Sequence, residues 1–143
     1  MLVSQILRQK GDGVISCSPQ DTLAAAAERL NARGIGAMVV IDDDDTVAGI
    51  ISERDIIRAV AQAGDRALSS PVASFMSRGT IYADPKESID MLLSRMTDRR
   101  IRHLPVCKDG KLQGVVSIGD LVKAKIAEAE AEAEGLKAYI AQG

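Results

Sequence analysis

Apolar residues along this chain fall into two rhythms, and the sequence runs through both of them twice. Leu23, Ala26, Ala27 and Leu30 recur at helical spacing, as do Ile89, Leu92, Leu93 and Met96, and each set predicts a helix with one buried face. Uninterrupted apolar runs follow, Ala37-Met38-Val39-Val40-Ile41 and Leu104-Pro105-Val106-Cys107, which read as buried strands. Polar segments, Asp42 to Asp45 and Lys108-Asp109-Gly110, predict hairpin turns into third strands at Val47 to Ile51 and Leu112 to Val116. Second helices begin at Ser52 and Ser117. Short first strands are expected around Val14 to Cys17 and Thr80 to Ala83. Ser18-Pro19 with Asp21, and Asp84-Pro85 with Glu87, predict helix starts: a capping residue, a proline at the first helical position and an acid beside the positive end of the dipole.

The two series are copies of one another. Ile15-Ser16-Cys17-Ser18-Pro19 matches Ile81-Tyr82-Ala83-Asp84-Pro85 at an offset of 66, and Arg33-Gly34-Ile35 matches Arg99-Arg100-Ile101 at the same offset. Gly49-Ile50-Ile51-Ser52-Glu53-Arg54-Asp55 matches Gly114-Val115-Val116-Ser117-Ile118-Gly119-Asp120 at 65, the slip falling in the hairpin turn. The lead-ins also agree, Val3-Ser4-Gln5-Ile6-Leu7 beside Val72-Ala73-Ser74-Phe75-Met76. The expected units are residues 1–65, residues 66–127 and a tail at 128–143, with a linker over Ala61 to Pro71. In the tail, Ala and Glu alternate from Ala127 to Glu134, which favours helix but gives no continuous apolar stripe at the 3.6 period. A largely solvated helix is expected there. Leu136, Tyr139 and Ile140, after Gly135, are left as a face for a partner chain or as a disordered end.

Composition narrows the function. The 143 residues are 46 % apolar and 2 % aromatic, with 18 basic against 20 acidic residues. No basic excess is present to neutralise phosphates, and Phe75, Tyr82 and Tyr139 are too few to stack single strands, so nucleic acid is not an expected partner. Met1 to Lys10 lacks the apolar stretch of a secretory signal, and no run of about 18 apolar residues exists, so neither export nor a membrane span is expected. Cys17 and Cys107 do not make a disulfide framework, which points to a reducing cytoplasm. The acidic run Asp42 to Asp45 lacks EF-hand spacing and reads as a solvated turn, so no metal is expected. Catalytic sets are missing too: there is no Gly-rich phosphate loop and no Ser/His/Asp triad.

The chain resembles a tandem pair of CBS domains, a Bateman module. Arg102-His103-Leu104-Pro105-Val106, Gly114-Val115-Val116-Ser117-Ile118-Gly119-Asp120-Leu121 and their counterpart Gly49-Ile50-Ile51-Ser52-Glu53-Arg54-Asp55-Ile56 carry the likeness, which runs from Leu2 to about Ile126. It implies an α/β (α+β) fold: two β-α-β-β-α repeats about a pseudo-two-fold axis, their small mixed sheets facing each other, plus the C-terminal helical tail. It implies two equivalent clefts that hold an adenine nucleotide as a regulatory ligand. AMP is the leading candidate, with ATP, ADP, NAD or S-adenosylmethionine as the others. No catalytic cofactor is implied. The resemblance also implies homodimers and an enzyme or transporter as the regulated partner.

Residue by residue, the [ST]-x-x-D motif of the family maps onto Ser52/Asp55 and Ser117/Asp120, hydroxyl toward phosphate and carboxylate toward ribose. Helix starts favour anions, and a carboxylate has two acceptor oxygens for a diol. The same spacing is also that of an ordinary capping box. By analogy Ile15 and Ile81, with Met38 and Leu104, hold the base, although each also reads as core. Thr80, Ile81 and Tyr82 supply backbone contacts to the adenine edge. Arg102 and His103, with Arg99, Arg100 and Pro105, bring charge and shape to the second copy's cleft, while Arg54 and Arg58 serve the first. Arginine suits phosphate through its fork of donors. This asymmetry predicts unequal sites. A nucleotide sensor is the leading reading. A ligand-independent dimerisation module is the alternative, and an enzyme acting on a nucleotide is disfavoured.

Overall fold

A computed structural model describes residues 1–11, 14–78 and 81–142. Helix α1 (Val3–Lys10) precedes β1 (Ser16–Cys17), α2 (Leu23–Arg33), β2 (Ala37–Ile41), β3 (Val47–Ser52) and α3 (Glu53–Ala63). Two 3-10 turns, Gly64–Ser69 and Val72–Ser74, lead to α4 (Ile89–Arg99), β4 (His103–Lys108), β5 (Lys111–Ser117) and α5 (Ile118–Gln142). The first sheet has the order β1-β2-β3, with β1 parallel to β2 and β3 antiparallel to it. The second is the antiparallel pair β4-β5, to which Ala83 adds one parallel bridge at Val106, the place that β1 takes in the first sheet. Both hairpins shift register at corresponding points, Val40/Ile41 and Val106/Cys107. The fold is mixed α+β, built twice.

Two helix starts differ from the sequence expectation. Thr22 caps α2, its hydroxyl accepting from the Ala25 amide at 3.1 Å, and Ser88 caps α4, accepting from the Met91 amide at 3.2 Å. Ser18 to Asp21 is instead a closed turn, with the Ser18 amide donating to the Asp21 carboxylate at 2.9 Å. Asp84 and Glu87 repeat it at 2.9 Å. The reason is that these turns give their carbonyls to another part of the chain. Pro19 and Asp21 accept from the Ala73 and Val72 amides at 3.0 and 2.8 Å, and Pro85 and Glu87 accept from Ser4 and Val3 at 2.9 and 3.0 Å. A helix begun at Pro19 or Pro85 would have used those carbonyls internally.

The lead-ins therefore cross over. Val3 and Ile6 are buried in the cluster built by Ile89, Leu92, Met96, Leu104, Val116 and Leu121 of the second repeat. Val72 and Met76 complete the cluster of Leu23, Leu30, Met38, Val40 and Ile51 in the first. Gly49 and Gly114, at matching places in the third strands, admit these crossings. A Cβ on Gly49 would collide with the Ser77 carbonyl oxygen, and one on Gly114 would lie 2.7 Å from Leu7 Cδ2. At Gly49 only hydrogen fits, because the backbone opposite cannot give way, whereas at Gly114 the tip of Leu7 would have to turn aside.

Hairpin and tail follow their composition. Asp42 turns back on its own loop, its Oδ1 accepting from the Asp44 and Thr46 amides and the Thr46 hydroxyl at 2.9 to 3.1 Å. These bonds, the Thr46 hydroxyl's first, hold its carboxyl below the usual range. Gly135 does not interrupt α5, which continues to Gln142 with Leu136, Tyr139 and Ile140 exposed. Among the described residues no helix is long and apolar enough to cross a membrane.

Candidate functional site: two unequal composite clefts

Each of the two capping motifs opens on a cleft whose opposite wall comes from the other repeat. Ser52 and Asp55, at the start of α3, share a cleft of about 650 Å³ with Ile81, Leu104 and His103. Ser117 and Asp120, at the start of α5, share one of about 890 Å³ with Ile15, Gly36 and Ala37, and with Lys10 from α1. His103, Gly36 and Ser117 line both clefts. A Cβ on Gly36 would meet Glu53 Oε1 at 3.5 Å and His103 Cε1 at 3.6 Å, so the partition between the clefts is thin at this point.

Charge is distributed unevenly. Arg54 and Arg58 of the first repeat and Arg100 and Arg102 of the second line the same α3 cleft, whereas the sequence alone predicts two separate clefts for them. Arg78 joins them, giving five arginines against the two carboxylates Glu53 and Asp55. The α5 cleft has Arg8, Lys10 and Lys108 against Asp120. Arg100 holds the left-handed conformation (φ 55°) at the position where the first repeat has Gly34 (φ 62°). That geometry ends α4, the Arg100 amide donating to the Met96 and Thr97 carbonyls, and turns the chain into the cleft wall.

Both motifs form capping boxes. Ser52 Oγ accepts from the Asp55 amide at 3.1 Å, while Asp55 Oδ2 accepts from the Ser52 amide at 3.0 Å and its hydroxyl at 2.9 Å. Asp55 is buried, and its Oδ1 faces Arg58 Nη1 at 3.5 Å. Ser117 Oγ accepts from the Asp120 amide at 3.1 Å, and Asp120 Oδ2 from the Ser117 amide at 2.9 Å. Lys10 Nζ, from α1, donates to the same Oδ2 at 2.8 Å and to the Val115 carbonyl at 2.9 Å. Each carboxylate thus spends one oxygen on the cap, which leaves Oδ1, in Asp55 already accepting from Arg58, rather than a two-oxygen fork for a diol. The Glu53 and Ile118 amides donate to the Gly36 and Arg102 carbonyls at 2.9 and 2.8 Å. Among the described residues, the Arg54 and Gly119 amides are then the first-turn donors without a partner.

Burial pushes the Asp120 carboxyl up, but the Lys10 hydrogen bond and charge and the Ser117 bonds outweigh it and hold it below the usual range. Burial also lowers His103, with the Arg102 and Lys10 charges acting the same way against Asp120 and Glu53. His103 is therefore neutral near pH 7 and offers one donor and one acceptor to the clefts.

The remaining sequence candidates lie elsewhere. Met38 is wholly inside the first core, and Pro105 is buried; neither lines a cleft. Tyr82 is half-exposed away from both, its carbonyl accepting from Arg95 at 3.3 Å. Thr80 lies outside the described residues. Lys10 and Arg78 carry no sequence signal of their own. Each follows a lead-in, and only the crossing of those segments delivers them to a cleft. Among the described residues no group of three or more His, Cys, Asp or Glu could hold a metal.

The model of the family described as CBS domain matches residues 3–62 and again 72–127. A mitochondrial CBS domain-containing protein of Arabidopsis thaliana is 36 % identical, across 99 % of this chain and 72 % of its own length. Among solved structures, the CBS-domain containing protein ATU1752 of Agrobacterium tumefaciens has a TM-score of 0.84 and 40 % identity over 87 % of this chain and 92 % of that one. The CBS domain protein PAE2072 of Pyrobaculum aerophilum, complexed with AMP, has a TM-score of 0.75 and 29 % identity over 84 % and 89 %. The CBS domain pair of the protein MJ0100, in complex with 5'-methylthioadenosine and S-adenosylmethionine, has a TM-score of 0.80 and 25 % identity over 90 % and 98 %. With one repeat in each matched stretch and a matching cap, sheet and lead-in in both, the chain belongs to the CBS-domain family and is a tandem CBS pair.

Proposed function

We propose that this chain is a regulatory module, not an enzyme, that binds an adenine nucleotide with a phosphate, AMP foremost and ATP or NAD next. The α3 cleft is the stronger site. One observation carries this reading: five arginines drawn from both repeats line the cleft onto which the start of α3 opens, together with Ile81 and Leu104. Arginine forks and a helix N-terminus favour a phosphate, whereas the sulfonium and ammonium of S-adenosylmethionine would meet like charge there. PAE2072 with AMP and MJ0100 with S-adenosylmethionine support an adenosine-type ligand in general. Asp55 Oδ1 and the Arg54 amide are the polar groups for the ribose and phosphate. Nucleotide contacts both repeats across the cleft and so biases their packing, which is how a bound ligand becomes a signal to an attached enzyme or transporter. Two free thiols, Cys17 and Cys107, fit a reducing cytoplasm.

Calorimetric titration with AMP, ATP, NAD and S-adenosylmethionine tests the reading. The expected result is one dominant site per chain for AMP and a rise in melting temperature with its concentration. Silence with every ligand overturns it and leaves the alternative, a ligand-independent dimerisation module. That alternative draws its support from both motif carboxylates being engaged in caps.

A further inference from the structure

We propose that α5 pairs with α5 of a second copy as a parallel, two-stranded coiled coil over Val122 to Ile140. This goes beyond the nucleotide reading and does not depend on it.

The helix has two faces. Leu121 and Ala124 are buried in the second repeat, but from Lys125 onward nearly every residue is exposed. On a separate face, Val122, Ile126, Ala129, Ala133, Leu136 and Ile140 follow one another at alternating steps of four and three. That is a 3.5-residue period, the a/d seam of a supercoil, with d positions at 122, 129 and 136 and a positions at 126, 133 and 140. All six residues are exposed, four of them large and apolar. The Ala/Glu alternation, which leaves no stripe at the 3.6 period, supplies small seam residues at 129 and 133. A helix polar all round would need no such seam.

Charge selects the partner and its direction. The residues flanking the seam are Lys123, Glu130 and Lys137 on one side (e) and Lys125, Glu132 and Tyr139 on the other (g). In a parallel pair each g residue meets the e residue five positions on in the partner, so Lys125 meets Glu130 and Glu132 meets Lys137, each twice by symmetry. Every such contact is between opposite charges. In the antiparallel register that layers 126 on 136 and 129 on 133, like flanks meet instead. Lys123 then faces Lys137, Glu130 faces Glu130 and Glu132 faces Glu132. Self-complementarity of this kind fits a second copy of the chain in parallel. Lys125 is already paired with Asp90 at 2.9 Å, so the Glu132–Lys137 pair is the cleaner probe.

Sedimentation equilibrium on the full chain and its variants gives the test. Lys137→Glu is expected to raise the dimer dissociation constant by about three- to tenfold, and adding Glu132→Lys is expected to restore it. The restoration removes loss of the weak Glu134–Lys137 contact as the explanation. Leu136→Glu with Ile140→Glu, both outside the folded cores, is expected to raise it about 100-fold or more. In a Cys107→Ser background, Ala133→Cys on the seam is expected to form a disulfide dimer on mild oxidation and Ala131→Cys on the outer face is not. Tighter association of Lys137→Glu would show an antiparallel pair. That result, a chain monomeric throughout, an unchanged constant for the double glutamate variant, or equal cross-linking at 131 and 133, overturns the proposal.

Discussion

Lys10 Nζ lies 2.8 Å from Asp120 Oδ2, tying the end of the lead-in helix to the cap of the last helix across 110 positions of sequence. The contact joins a segment that crosses between repeats to a motif that lines a cleft. It also occupies the oxygen that the cap already uses.

Removing this tie separates capping from binding. Lys10→Met should cost about 1 kcal/mol or less, since the pair is partly solvated. Asp120→Ala also loses the cap and should cost about 1 to 2 kcal/mol in urea unfolding. Because Asp120 belongs to the α5 cleft, AMP affinity at the α3 cleft should change by less than about twofold in either variant. A large loss for Asp120→Ala with an intact fold would move the dominant site to α5.

Gly49 and Gly114 make a matched pair with unequal tolerance. Gly49→Ala sets a methyl against the Ser77 backbone and should cost about 3 kcal/mol or more. Gly114→Ala meets only the tip of Leu7 and should cost about 1 to 2 kcal/mol. Leu7→Ala should relieve part of that cost, so that the double variant is more stable than the sum of the two singles predicts. Strict additivity in chemical unfolding would refute the Leu7 contact.

Arg100 trades stability for charge. Its left-handed backbone costs an L-residue about 1 kcal/mol that glycine does not incur. Arg100→Gly should therefore unfold at higher denaturant while binding AMP about tenfold more weakly. Unchanged affinity would remove Arg100 from the phosphate-binding group.

His103 is the chain's single histidine, so proton NMR follows it without ambiguity. Its folded midpoint should fall below 6.5, for burial first and then Arg102 and Lys10. A depressed folded value means that the folded state binds fewer protons than the unfolded one. The stability it contributes is whole above the unfolded value of 6.5 and is lost as pH falls toward the folded midpoint. AMP in the adjoining cleft should shift the midpoint upward, since a phosphate favours the imidazolium. No movement on saturation would place the phosphate away from His103.

Sequence showed more of the fold than of the site. The stripes of Leu23 to Leu30 and Ile89 to Met96 became α2 and α4, and both hairpins formed at their acidic and Lys-Asp-Gly turns, because burial and turn geometry are settled within a few residues. The capped starts of α2 and α4 lie four residues beyond the Ser18 and Asp84 that the sequence predicts, while α3 is capped at Ser52 as predicted. Pro19 and Asp21 give their carbonyls to residues 73 and 72, and nothing near them in sequence signals that use. Arg54 and Arg102 read as belonging to different sites and line the same one. Met38 and Leu104, matched by offset, are equally buried in their two cores, and of the two only Leu104 also borders a cleft.

By itself the sequence determined that the chain is a duplicated unit with two capped helix starts of one design, since repetition, periodicity and capping are local records of burial and hydrogen bonding. Only the tertiary structure decided that each lead-in completes the other repeat's core and that each cap faces the other repeat's strands. Those choices depend on volumes and backbone carbonyls brought together from distant parts of the chain, such as Leu7 against Gly114 and Val72 against Asp21. No local pattern encodes which of two near-identical halves a segment will fill.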